Sequence, residues 1–166
     1  QDDANINGAD LQLSQKIGKY ITIKGKAMWV RGTNKNTGEP LIYMPSDRYE
    51  ARLVLNSKNT AKFTGNYFEL VYQFVDRQKR VPSQADFVAP PGAYHLFGFN
   101  LGTQVQLRKQ ILHLTLSVSN AANEVYRDYL DRFRYYNDAS GTNYTLRLRM
   151  PFDLSRKNNH NKPQQP

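Results

Sequence analysis

Apolar and polar residues alternate along most of this chain with a period of two, the spacing at which successive side chains of a β-strand point to opposite faces. The clearest run is Ile111 to Asn120, where Leu112, Leu114, Leu116 and Val118 share one side and His113, Thr115, Ser117 and Ser119 the other. Near the end, Tyr144, Leu146, Leu148, Met150 and Phe152 alternate with Asn143, Thr145, Arg147 and Arg149. Phe97, Phe99, Leu101, Val105 and Leu107 oppose Gly98, Asn100, Gly102, Gln104 and Gln106, a set of small and amide residues that suggests a watery face. Earlier runs follow the same rule: Phe68, Leu70, Tyr72 and Phe74 around Glu69 and Gln73; Tyr49, Ala51, Leu53 and Leu55 around Glu50 and Arg52. Ile21, Ile23, Ala27 and Trp29 oppose Thr22, Lys24 and Lys26, and Leu11 and Leu13 stand among Asp10, Gln12 and Ser14. The pattern predicts an all-β fold of about seven strands, each of roughly ten residues or more, against the usual five or six.

The connections add independent information, because they alternate in length. Gln15 to Gly18, Ser57 to Lys62 and Arg108 to Gln110 are short, whereas Thr33 to Asp47, Gln78 to Tyr94 and Ala122 to Thr142 are long. An antiparallel up-and-down meander with tight turns at one end and extended loops at the other accounts for this, and transmembrane β-barrels share that asymmetry. With the short turns in the periplasm, the last strand runs toward the periplasm. Residues 1–152 read as one unit; residues 153–166, rich in Asn, Lys, Gln and Pro without a periodic apolar face, read as a disordered polar tail.

At 166 residues the chain is long enough for one domain with a sizeable core. It carries 23 Lys and Arg against 14 Asp and Glu, a net charge of +9, which favours phosphates, anionic lipids or acidic ligands without choosing among them. Without cysteine there is neither a disulfide frame nor a thiolate site. The longest apolar runs are four residues, such as Ala27 to Val30, whereas a membrane-spanning helix needs roughly 20. A mean hydropathy of −0.71 is compatible with a barrel wall, whose alternating strands leave only a weak hydropathy signal. The opening Gln1, with no basic or apolar signal region behind it, leads to the expectation of a processed, engineered or truncated N-terminus.

The segment from Leu112 to Phe152 resembles the C-terminal hallmark of TonB-dependent outer-membrane receptors. In that family a penultimate strand ends in an Asn-containing turn, followed by a Tyr-Arg motif, a loop, a glycine and a final strand closing on Phe. The corresponding residues are Asn120 and Asn123, Tyr126-Arg127-Asp128-Tyr129-Leu130, Gly141 and Phe152. Pro90 to Gly102, Leu41 to Leu53 and Ile6 to Leu13 extend the likeness more weakly, so that it covers most of residues 6 to 152. The chain departs from the pattern at Thr142, where Arg is expected, and by continuing beyond Phe152. The resemblance implies the C-terminal section of a barrel of about 22 strands with a plugged lumen, located in the bacterial outer membrane and importing siderophores, cobalamin, glycans or similar solutes. It implies as partners outer-membrane lipid, an N-terminal plug, the remaining barrel strands and the inner-membrane TonB energy-coupling protein. It calls for no cofactor, no nucleic acid and no catalysis. Neither plug nor TonB-contacting segment is legible here, so the expectation is a section of wall that transports nothing alone.

Six cations on polar faces, Lys24, Lys26, Arg48, Arg52, Arg147 and Arg149, are candidates to line the lumen and face a solute or the plug's carboxylates; hydrated or paired lumen residues are the plainer reading. Tyr126, Tyr129, Phe133, Tyr135 and Tyr136 are expected together above the last hairpin, as an interfacial girdle or as ligand-stacking outer-loop rings, and Trp29 as a girdle residue. His95, His113 and His160 are too scattered to suggest a metal site, with His113 expected opposite about Val105. Asp128 and Asp131 are expected in a solvated loop, and no nucleophile elbow, phosphate loop or metal-hydrolase motif points to an enzyme. The rival is a soluble basic β-barrel or sandwich that binds nucleic acid or another polyanion. It requires a closed fold with an oily interior.

Overall fold

The computed structural model describes residues 3–83, 86–108 and 110–151. Phe152, His160 and the expected tail at 153–166 lie outside the described residues. The chain forms β1 (Ala4–Ile17), β2 (Ile21–Asn34), β3 (Arg48–Asn56), β4 (Phe63–Val75), β5 (Tyr94–Leu107), β6 (Gln110–Ser119) and β7 (Asn143–Arg149), with one 3-10 turn at Arg132–Tyr135. All seven strands join a single sheet in sequence order, each antiparallel to the next. This is the predicted meander. β3 and β7 are shorter than expected, at 9 and 7 residues, while β1, β2 and β5 reach 14.

Residues directly opposite one another in an antiparallel ladder share a face, so the register assigns every strand position. Leu13, Gly25 and Ala51 form one row, Ile23, Leu53, Leu70, Phe99, Val118 and Tyr144 another, and both rows lie on the same side. That side also carries Leu11, Tyr49, Phe74, Phe97, Leu101, Leu112, Leu114, Leu116, Leu146 and Leu148. Of the large apolar strand residues that are exposed, all but Ile6 and Ile111 belong to it. The opposite side carries Asp10, Gln12, Lys24, Lys26, Glu50, Arg52, Glu69, Asn100, Gln104, His113, Thr115, Arg147 and Arg149. A mainly apolar face and a mainly polar face therefore span all seven strands; Gln15 and Thr103 interrupt the apolar one, and at the loop end of β1 and β2 it gives way to Asn5, Asn7, Arg31 and Thr33.

Turn geometry sets the details. β5 and β6 already pair at Leu107 and Gln110, tighter than expected, so His113 faces Gln104 rather than Val105. Arg108 takes φ 48°, the left-handed conformation that a two-residue hairpin demands. In β4 the register slips between Thr64 and Tyr67, and Gly65, at φ 58°, absorbs the slip. The bulge keeps Phe63 opposite Val105, on the oily side. Gly102 lies on the polar face, opposite Thr115, and makes room there for Tyr67: a Cβ would sit 2.1 Å from the Tyr67 ring, which lies over it.

The buried apolar side chains are few. Val105 and Val118 are shielded within the sheet, and Val75, Tyr94 and Tyr129 lie at the end where the long loops meet, beside buried Ser46, Gln78, Asn120 and Arg134. The tightest packing belongs to the loop end, not to the sheet.

Candidate functional site: the loop cap and the polar face

The three long connections, 35–47, 76–93 and 120–142, leave the same end of the sheet because the meander returns every second strand there. They are tied to the sheet and to one another. Arg31 on β2 forms a two-pronged pair with Asp47, at 2.5 and 2.6 Å. Arg48, at the start of β3, donates to Asp128 at 2.6 Å, and the Tyr94 hydroxyl donates to the same carboxylate oxygen at 2.8 Å. Gln78 donates to the backbone carbonyls of Met44 and Pro45, Ser83 to Glu39, and Arg80 to Thr33. Asp128 is therefore a bridge between loop and sheet, not the solvated carboxylate expected of it.

At the centre of this cap stands Arg134. Its guanidinium pairs with Asp86, donates to the Tyr135 hydroxyl at 2.9 Å, and lies over the rings of Tyr129 and Tyr135 at 4.9 and 4.4 Å. The Tyr135 hydroxyl donates to the other Asp86 oxygen at 2.7 Å. Arg134 and Asp86 are both almost fully shielded from solvent, so each supplies the compensation that the other's burial demands. Burial alone would raise the Asp86 pKa, but the donors Tyr135 and Arg134 outweigh it and hold the carboxyl below its usual range. The same bond to Asp86 pushes the Tyr135 phenol well above its ordinary value.

Arg134 sits in the 3-10 turn that Asp131 caps by accepting from the Phe133 amide at 2.9 Å. An Asp followed by a short turn is a local signal of such a cap; neither the cap nor the roles of Asp86 and Tyr43 were expected from the sequence. Tyr43 packs against Tyr129 with ring centroids 6.4 Å apart. Between them opens a cavity of about 460 Å³, walled by Tyr43, Tyr129, Tyr135, Asp131, Arg132 and Arg134. Tyr129 is only 4% exposed, and although the Tyr43 backbone approaches its hydroxyl, that hydroxyl makes no hydrogen bond. Burial raises its pKa.

The expected aromatic group divides. Tyr126 stacks on Tyr94 at 4.4 Å, and Tyr129 and Tyr135 turn inward, whereas Phe133 and Tyr136 point to solvent. Trp29 is elsewhere, on the oily face. Near the loop end of that face Tyr49 stacks on Phe74 at 6.0 Å and Phe74 on His95 at 4.8 Å, with Tyr144 near the loop end of β7. His95 also bonds the Tyr72 hydroxyl at 2.7 Å on this face, while His113 lies on the other.

The six candidate cations all occupy the polar face, but their surroundings differ. Arg52 makes a two-pronged pair with Glu50, at 2.6 and 2.9 Å, and reaches Glu69 at 3.4 Å. Asn100 donates to Glu69 at 2.7 Å, and Lys24 stands 3.9 Å from it. Arg48 is committed to Asp128. Lys26 faces Glu50 across the β2–β3 ladder. Arg147 and Arg149 face Thr115 and His113, with no hydrogen bond or ion pair among the described residues. No protein-family model matches this chain, and neither does any curated protein.

Proposed function

We propose that this chain is the C-terminal section of the barrel wall of a TonB-dependent receptor in the bacterial outer membrane, contributing wall strands and outer loops to solute uptake. The observation that carries the reading is the oily face. It extends across seven strands, and most of its large side chains stay in contact with solvent, beyond the apolar patch a soluble monomer leaves uncovered. Acyl chains are the natural solvent for such a surface. A soluble barrel would close β1 onto β7 and turn these side chains inward; here β1 and β7 end the sheet without pairing to each other.

Further features support the reading. Strands of 10 to 14 residues suit a tilted crossing of a bilayer, which takes about 9–11. The rings of Trp29, Tyr49, Phe74 and Tyr144 gather toward the loop end, as an interfacial girdle does. The paired and unpaired cations of the polar face then look into the lumen, toward a plug, the remaining strands and a passing solute. The loop cap, with its tyrosine-walled cavity, then faces outward, and coupling to the inner-membrane TonB protein would run through the plug. No catalysis, cofactor or nucleic acid is required.

The test moves the single tryptophan. With Trp29 replaced by Phe, a new tryptophan is placed at Leu114 or at Thr115 and the chain is refolded with vesicles whose acyl chains are brominated. Quenching at 29 and 114 but not at 115 is expected. Equal quenching at 114 and 115, or none at either, would sink the proposal.

A further inference from the structure

Charge is distributed unevenly between the two ends of the sheet. The loop end mixes both signs, whereas the short-turn end carries Lys16, Lys19, Lys58, Lys62 and Arg108, all exposed. Among the described residues no carboxylate lies in these turns or in the adjoining strand ends: the nearest ones along the strands are Asp10 and Glu69, at mid-strand, and Glu50, toward the loop end of β3. Among the same residues none of the five cations has an ion-pair partner.

Lys16, opposite Thr22, lies on the polar face, which leaves Lys19, Lys58, Lys62 and Arg108 in the turns themselves. The Asn56 amide donates to the Tyr20 carbonyl at 2.7 Å, and the Gln106 amide to the Lys62 carbonyl at 3.0 Å, stitching each turn to the neighbouring strand end. Directly beside them, the oily face ends in an exposed collar of Ile17, Phe63 and Leu107. The Lys62 ammonium lies 6.0 Å from the Phe63 ring centre. Turns that carry unpaired cations beside an apolar surface make the arrangement that meets a membrane at its headgroups: the side chains' apolar stems follow the acyl boundary and their charged ends reach the phosphates.

Building on the barrel-wall reading, we propose that the short-turn rim binds anionic phospholipid headgroups of the leaflet it borders, through Lys19, Lys58, Lys62 and Arg108. A polyanion such as nucleic acid fits less well, because it would leave the oily collar beside these cations uncovered.

The full chain is refolded with vesicles of phosphatidylcholine alone, or of phosphatidylcholine with phosphatidylglycerol, and lysine acetylation by a water-soluble reagent is mapped by mass spectrometry. In the anionic vesicles at low salt Lys19, Lys58 and Lys62 should react several-fold more slowly than in the neutral ones, with the difference erased by high salt. Lys35, at the loop end, should not change. Replacing Lys19, Lys58, Lys62 and Arg108 by Gln should lower partitioning into the anionic vesicles about fivefold per cation removed, while Trp29 quenching in neutral vesicles persists. If Trp29 is quenched in both vesicle types yet the lysine rates ignore lipid charge, the headgroup site is overturned and the barrel wall stands. If Trp29 is quenched in neither, both fall. Equal protection of these lysines by nucleic acid in vesicle-free buffer would also overturn the site, in favour of polyanion binding.

Discussion

Within the sheet, every strand is held to its chain neighbour by a ladder, bulged at Gly65 between β4 and β5, and many of its large apolar side chains are exposed. Within the cap, residues far apart in the chain meet, and polar groups are the ones buried: Arg134 with Asp86, Arg48 and Tyr94 with Asp128, Gln78 with the 44–45 backbone. The sheet takes its shape from backbone pairing and relies on its surroundings to accommodate apolar surface. The cap supplies its own interior from charges and aromatic rings. Changing the solvent should therefore act on the first, and breaking a partner on the second.

The largest effect is expected at the cap. Asp86→Ala strands the buried Arg134 charge, a loss on the order of 3–5 kcal/mol; hydrogen exchange should accelerate in 76–93 and 120–142 while the strand ladders keep their protection. Loss of protection throughout the sheet would erase the distinction between the two regions. Next comes Leu70→Arg on the oily face, expected to cost roughly 2–4 kcal/mol in vesicles by denaturant titration, with Gln73→Arg on the polar face nearly neutral. Equal costs would mean that the two faces do not meet different solvents.

Asp128→Asn weakens two charge-assisted bonds and should cost about 1–2 kcal/mol, read as faster proteolysis of 120–142 alone. Acid should act in the same direction. The folded-state pKa of Asp86 is depressed, so its contribution is present above the ordinary carboxylate range and fades as pH falls through its lowered value. Acid should loosen the cap before the sheet. Arg149→Gln, exposed and without a partner among the described residues, should change stability by less than about 0.5 kcal/mol; a larger loss on denaturant titration would reveal a contact that the sheet's polar face does not account for.

The fold was legible because its signal is local. Alternation at Leu112 to Val118 or at Tyr49 to Leu55 needs only neighbouring residues, and with connection lengths it is enough to order seven strands. The site was legible only in part. That the six cations lie on the polar face follows from their alternation, but whether a cation is committed depends on strands or loops distant in sequence: Arg48 meets a carboxylate 80 positions away, Arg134 one 48 positions away. Tyr43 and Asp86 sit in irregular loops, where no period marks a residue as buried.

Amphipathic strands, their number, their order as hairpins and the separation of short from long connections follow from the sequence by itself, because side-chain direction along a strand depends only on position parity. The exact register, the bulge at Gly65 and the closing of three loops into one charged, aromatic cap were decided only in three dimensions. Backbone pairing and burial select among partners that are equivalent in a linear pattern, and only contact distinguishes a solvated aspartate from one that holds a loop.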